Sequence, residues 1–435
     1  MPGFWDGRLA FAMLAWDGLV LLAALLDGLR LPIPSELTAG RSWSNAPALD
    51  SETEIELTVE NRGRTVVECR LTDDLPPALG NPLGPPAIHR LTTFPRVPAS
   101  LRYRVEPLER GDWETGWLYV GYRSPLGLVQ RWAKAQLTQT VRVYPALRTG
   151  GAQQIFLARS RQIDLQLRQT RQRGLGRDFE SLRDYRQGDD LRDICWTATA
   201  RRGSPITRQY QTERSQPVWI VLDCGRLMRS RVASGPQAFQ TSARAPSPHS
   251  KLDHACTTAV ALAQLALFSG DRVGLLAYGQ GIQQRLLPGR GAAHLRQLIE
   301  SLAQVRAESG EAYHLRATAT LNRLQHRRSL ILWVTDLAET AIRPEVIDGA
   351  AQLLRRHVLL FVAMAQPEVE SIAQARPRDV DQMFLAAAAQ EMAGRREVML
   401  ARLHEQGALT LDLNPEALTS SVLNQYLVVK ERAMV

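Results

Sequence analysis

Four stretches of this chain are nearly unbroken apolar runs: VWIVLD (Val218–Asp223), VGLLAY (Val273–Tyr278), LILWVTD (Leu330–Asp336) and VLLFVAM (Val358–Met364). A strand with one wet face alternates apolar and polar residues. A strand covered on both faces reads as a continuous run, as parallel strands do when helices flank the sheet. Helical stretches lie between the runs. One of them carries Leu252, Ala255, Cys256, Ala259, Val260, Leu262, Ala263 and Ala266 at helical spacing. Strand and helix in alternation predict a doubly wound α/β domain over residues 217–435. One insert interrupts it: Arg229–Ser250, rich in Ser, Ala, Gln and Pro, reads as a mobile loop. In such open sheets ligands sit beyond the carboxyl ends of the strands. Asp223 and Asp336 each end a run there, as two carboxylates within reach of a hard cation such as Mg²⁺.

Upstream the period changes to two. Ile55, Leu57 and Val59 alternate with Glu54, Glu56, Thr58 and Glu60; a turn at Asn61-Arg62-Gly63 comes next, then Val67, Cys69 and Leu71. Short alternating strands between Pro- and Gly-rich loops predict a β-sandwich over residues 50–147. Before it, residues 1–35 hold the apolar run Leu9–Leu26. It is close to the roughly 20 residues that span a bilayer, although Asp17 within it costs about 2.5–3.5 kcal/mol on insertion scales. The motif WDG occurs at Trp5–Gly7 and Trp16–Gly18, with LDG at Leu26–Gly28. A single membrane anchor is expected. Arg8 on one side and Arg30 and Arg41 on the other set no orientation.

Between the two domains, residues 155–216 form a charged block. Thirteen arginines face eight acids from Arg159 to Arg214, so the block is a mixed-charge network rather than a phosphate-tracking surface. The net charge of +9 has the same character, because 50 of the 53 basic residues are arginine and acids are interspersed. No nucleic-acid partner is expected. Cys69, Cys195, Cys224 and Cys256 lie far apart with no CxxC, which argues against a zinc site or a disulfide framework. No phosphate loop, HExxH pair or GxSxG elbow is present. The carboxylates Asp184, Asp189, Asp190 and Asp193 have Arg183, Arg186 and Arg192 beside them. Carboxylates so paired make a structural network better than a metal site. No catalytic residue is assigned.

The run GLGRDFESLRDYRQGDDLRDICWTATAR, Gly174–Arg201, resembles the signature of the domain-of-unknown-function 58 family. The resemblance rests on Arg183 and Tyr185, on Gly188-Asp189-Asp190, and on Arg192, Trp196 and Ala200-Arg201. Glu213, Asp223, the stretch Pro107–Gly111, SPLGL (Ser124–Leu128) and VRVYP (Val141–Pro145) extend it. The resemblance implies a von Willebrand factor A-like α/β domain behind a membrane-anchored β-domain, no established enzymatic activity, and association with MoxR-type AAA+ ATPases. Two departures stand out. The family of A-type domains that hold a metal has D-x-S-x-S after the first strand; here Asp223 is followed by Gly225 and Leu227 where the hydroxyls belong, with Arg226 between them. Relatives also carry two hydrophobic helices, against one candidate here.

The expectation is therefore a bacterial, membrane-anchored, non-enzymatic interaction or assembly factor without a required cofactor. Asp223 and Asp336 form a degenerate metal site, and Arg226 with Asp336 meets a protein partner at the sheet edge. The charged block, with Arg183, Tyr185, Asp189, Asp190, Arg192, Trp196 and Arg201, is a structural joint locked against that edge. The alternatives are a metal-dependent hydrolase using Asp223 and Asp336, and a purely structural envelope protein.

Overall fold

A computed structural model describes residues 7–80, 88–146, 156–160, 162, 178–186, 189, 191–211, 215–232, 249–337 and 345–432. The chain divides into two compact units, Met1–Ala146 and Leu147–Val435.

The first unit opens with helix α1 (Gly7–Leu29), longer than the run read from sequence. At 1.5 Å per residue its 23 residues reach about 35 Å, enough to cross a bilayer core of about 30 Å. Its apolar side chains are exposed all round: Phe11, Leu14, Trp16, Leu21, Leu25 and Leu29 are each at least 60% exposed. Among the described residues it is the one helix long and apolar enough to cross a membrane. The expected result of an alkaline carbonate wash is that the full-length protein stays with the membrane pellet. Release into the wash would rule out a spanning helix.

The end of α1 is tied down. Asp27, the acid of the LDG motif, is 1% exposed, and its carboxylate accepts from the backbone N–H of Leu126 (3.3 Å) and Leu128 (3.4 Å). The SPLGL loop is thus a receptor for the helix end. Tyr122 donates its hydroxyl to the Pro32 carbonyl at 2.7 Å, and Thr65 donates to the Arg30 carbonyl at 2.8 Å.

The remainder of the first unit is β-sandwich-like. One sheet has the order β1-β2-β5, from Leu37–Trp43, Thr53–Asn61 and Pro98–Val105. The other runs β4-β3-β7-β8, from β3 (Val67–Asp73), β4 (Ile88–Thr93), β7 (Trp117–Arg123) and β8 (Gln130–Gln136). β6 (Gly111–Glu114) and β9 (Thr140–Val143) pair separately. The alternating Ile55, Leu57 and Val59 meet Cys69, Leu71, Leu118, Val120 and Tyr122 in one core. The domain begins earlier than the expected residue 50, because β1 adds a strand whose mixed sequence, LTAGRSW, hides the alternation. Across the core, Arg41 pairs with Asp73, with side chains 1% and 4% exposed.

In the second unit, β10 (Asp178–Asp184) and β11 (Ile206–Gln211) form their own antiparallel ladder, with short helix α2 (Trp196–Arg202) between them. A six-stranded sheet comes next: β12 (Pro217–Asp223), β15 (Arg272–Tyr278), β16 (Ile282–Gly289), β17 (Leu330–Thr335), β18 (Val358–Met364) and β19 (Leu409–Leu413). Its spatial order is β16-β15-β12-β17-β18-β19, with β16 antiparallel and the rest parallel. Helices α3 (Lys251–Phe268), α4 (Gly291–Gln304) and α9 (Pro415–Glu431) cover one face. Helices α5 (His314–Leu324), α6 (Glu345–Leu354) and α8 (Val380–Glu405) cover the other. Helix α7 (Pro367–Gln374) precedes α8. All four expected runs are strands.

The insert needs a correction. Its ends are structured: Arg229 closes a 3-10 turn, and β13 (Arg231–Val232) pairs with β14 (His249–Ser250). Residues 233–248 lie outside the described residues.

Candidate functional site

The strand order reverses between β12 and β17. From there the chain winds outward in both directions, which leaves a crevice at the carboxyl ends where such sheets bind ligands. Leu222 pairs with Val334, so Asp223 and Asp336 arrive at that crevice on adjacent strands. The sequence placed both carboxylates correctly, yet neither faces water: Asp223 is 4% exposed and Asp336 0%.

Each oxygen is already engaged. Asp223 Oδ1 accepts from the Gly225 N–H at 2.7 Å, and Oδ2 from the Thr335 hydroxyl at 2.6 Å. Burial, more than the nearby charges of Asp336 and Glu308, pushes the Asp223 carboxyl up to about 6 against these stabilising bonds. Asp336 Oδ2 accepts from Lys251 Nζ at 2.5 Å and from Gln366 Nε2 at 2.9 Å. Its Oδ1 lies 3.5 Å from Arg396 Nη1, and that guanidinium also grips Asp412 with two bonds of 3.1 and 2.6 Å.

The loop 308–313 closes over this edge. Glu308 N–H donates to the Cys224 carbonyl at 2.7 Å and Arg226 N–H to the Gly310 carbonyl at 2.9 Å. A Cβ added at Gly225 would stand 2.9 Å from the Ala312 backbone nitrogen. A serine there needs the loop to move, which is the physical reason for the first missing hydroxyl. The residues present therefore do not fit a divalent cation, since the carboxylate oxygens already accept from a lysine, a glutamine, a threonine and a backbone amide. Among the described residues no group of three His, Cys, Asp or Glu side chains is arranged to hold a metal. The expectation that Asp336 meets a partner is also corrected, because its carboxylate is wholly buried. Arg226 does sit on the outside of the same edge, at the start of the 3-10 turn Arg226–Arg229.

Beneath the crevice, Trp333 Nε1 donates to the Tyr278 hydroxyl at 2.7 Å, and that hydroxyl lies 2.8 Å from His314 Nδ1. Burial lowers His314 to about 4. A pocket of about 270 Å³ opens beside Arg396, lined also by Gln366, Val369, Met392, Leu400 and Asp412.

The charged block is partly as expected. Arg183 binds Asp189 through two parallel bonds of 2.8 and 2.7 Å, the fork-to-carboxylate geometry suited to arginine. Asp189 also accepts from the Arg186 N–H at 2.9 Å, and these bonds, Arg183 first, hold its carboxyl below the ordinary range. Tyr185 is half-buried, its hydroxyl 3.5 Å from the Asp189 carbonyl. Trp196 corrects the expectation of a lock: it is 70% exposed, as the first residue of α2. Arg201 is exposed too. The block's strands pair with each other and not with the six-stranded sheet. Asp190, and the side chain of Arg192, lie outside the described residues.

Sequence reading missed Lys251, Thr335, Gln366 and Arg396. One signal was present: Lys251 is one of only three lysines in a chain that otherwise uses arginine.

Residues 181–381 match the family described as "Protein of unknown function DUF58", as the Gly174–Arg201 block led one to expect. Uncharacterized proteins of Mycobacterium bovis and Mycobacterium tuberculosis are each 26% identical over 210 residues, 48% of this chain. The chain spans 58% of the length of these curated relatives. Among solved structures, an uncharacterized membrane spanning protein from Vibrio fischeri is 15% identical, covering 48% of this chain and 96% of its own, at a TM-score of 0.18. A PapD-like domain of human CEP192 is 13% identical, covering 27% of this chain and 91% of its own, at 0.20. Those scores are too low to establish a shared fold.

Proposed function

With the DUF58 match over residues 181–381 as the premise, we propose that this chain is a membrane-anchored, non-enzymatic protein-interaction factor. Helix α1 is its anchor. Its α/β unit is von Willebrand factor A-like, and the partner meets the carboxyl edge of the sheet. The partner class inferred from the family resemblance is a MoxR-type AAA+ ATPase.

The observation that carries the reading is the closed state of the crevice. A hydrolase built on Asp223 and Asp336 needs open oxygens for a metal or a water, and here those oxygens are held by internal donors. What the edge turns outward is the Arg226–Arg229 turn and Tyr313, which is 54% exposed. An arginine and an aromatic ring at a loop edge suit a protein surface better than a small substrate. The strand order, with one antiparallel edge strand at β16, supports the A-like architecture.

The test uses the full-length chain in detergent as bait for a MoxR-type ATPase of the same organism, with the ATPase's nucleotide state fixed. Wild type should retain it. Arg226→Glu should weaken retention about tenfold or more, the cost of reversing a charge at an interface. Retention indifferent to Arg226→Glu would move the interface elsewhere.

A further inference from the structure

We infer that the Lys251 ammonium is a resident cation, occupying the position from which a divalent ion would bind the strand-end carboxylates Asp223 and Asp336. The placement is built, not incidental. β13 and β14 bring the chain to the sheet edge, and Lys251 N–H donates to the Ser230 carbonyl at 2.9 Å. Ser250 caps the helix that starts at Lys251, and its side chain and that of Asp253 satisfy each other's backbone N–H. This cap fixes the first turn of α3 and so the root of the lysine side chain. The side chain is 2% exposed and ends on Asp336, itself sealed from water.

A buried carboxylate at that position needs a positive neighbour. The chain meets the need with an ammonium on Oδ2 and the Arg396 guanidinium towards Oδ1. A lysine ammonium is a compact point charge on a flexible stem, and so resembles a small ion more than a planar guanidinium does. Asp223 has its own donors, Thr335 and the Gly225 amide. The backbone at Ala312 fills the space that a hydroxyl ligand on residue 225 would use. The edge is therefore complete without Mg²⁺, and removing the ammonium should open its position to a metal ion. This inference rests on the geometry around Lys251, Asp336 and Asp223 and stands whether or not the carboxyl edge binds a partner.

The test measures thermal unfolding of the full-length protein in EDTA and in millimolar Mn²⁺, together with Mn²⁺ binding by electron paramagnetic resonance. Wild type should melt at one temperature in both solutions and bind no Mn²⁺ that Asp336→Asn abolishes. Lys251→Ala should melt about 10 °C lower in EDTA, the scale expected when a buried pair loses one partner. Mn²⁺ should restore at least half of that loss, with one ion bound. Adding Asp336→Asn to Lys251→Ala should abolish the Mn²⁺ response. If Lys251→Ala is not recovered folded in EDTA, preparation in Mn²⁺ should yield it folded; failure in both sinks the proposal. It is equally overturned if wild type binds Mn²⁺ through Asp336, or if Lys251→Ala melts like wild type.

Discussion

Replacing Trp333 with alanine is expected to destabilise the α/β unit by about 3–5 kcal/mol and to lower its melting temperature by about 10 °C or more. Trp333 is 1% exposed in the middle of a central strand. Its ring meets Phe361 at 5.6 Å between centroids, and its Nε1 is the donor to Tyr278. Alanine leaves a large cavity and removes one partner from a buried hydroxyl, and neither loss is repaired by water in a closed core. Trp196→Ala is the control, and it is expected to change stability by no more than about 0.5 kcal/mol, since most of that ring already faces solvent. Calorimetry of the two variants decides the point. A severe loss at Trp196 would reinstate the structural joint that the sequence suggested.

The second large effect is a response to acid. His314 and His357 are both lowered to about 4, mainly by burial. A folded state that binds protons less readily than the unfolded chain is stable above the unfolded histidine value, near 6.5. It loses that stability as pH falls towards 4. Asp223 acts in the opposite sense. Its carboxyl is raised to about 6, so the folded state takes up a proton first and gains relative stability as pH falls from 6 to 4. In the wild type the Asp223 gain offsets about one histidine. Asp223→Asn keeps an oxygen for the Gly225 amide and abolishes the titration. Between pH 6 and pH 4 that variant should lose about 2 kcal/mol more stability than wild type does. Urea titrations of both proteins at the two pH values measure it. Equal losses would show that Asp223 does not titrate in this window.

The legibility of this chain tracks burial symmetry. β12, β15, β17 and β18 are covered on both faces, so their sequences are apolar throughout and announce themselves. The edge strands β16 and β19 are half-exposed; IQQRLLPG and LTLDL carry no such run and were not foreseen. The positions of Asp223 and Asp336 were legible because a carboxylate ending an apolar run must sit at the strand's carboxyl end. Their accessibility was not, because it depends on loop 308–313, at least 85 residues from Asp223, and on Lys251, 85 residues from Asp336, which meet them only after folding. Trp196 failed for a related reason. A tryptophan among charges reads as a buried anchor, but the first residue of a short helix has few neighbours to bury it.

The rarity of lysine has a practical consequence. Of the three, Lys251 is sealed on Asp336, and Lys430 is 9% exposed, its ammonium 2.9 Å from the Ser269 carbonyl. Lys134 alone lies on the surface, over the ring of Trp117. Amine-directed labels and lysine-specific proteases thus find almost nothing on the folded α/β unit. Cleavage after Lys251 or Lys430 therefore reports that α3 or α9 has come away from the sheet, giving a built-in gauge of local opening that needs no engineered probe.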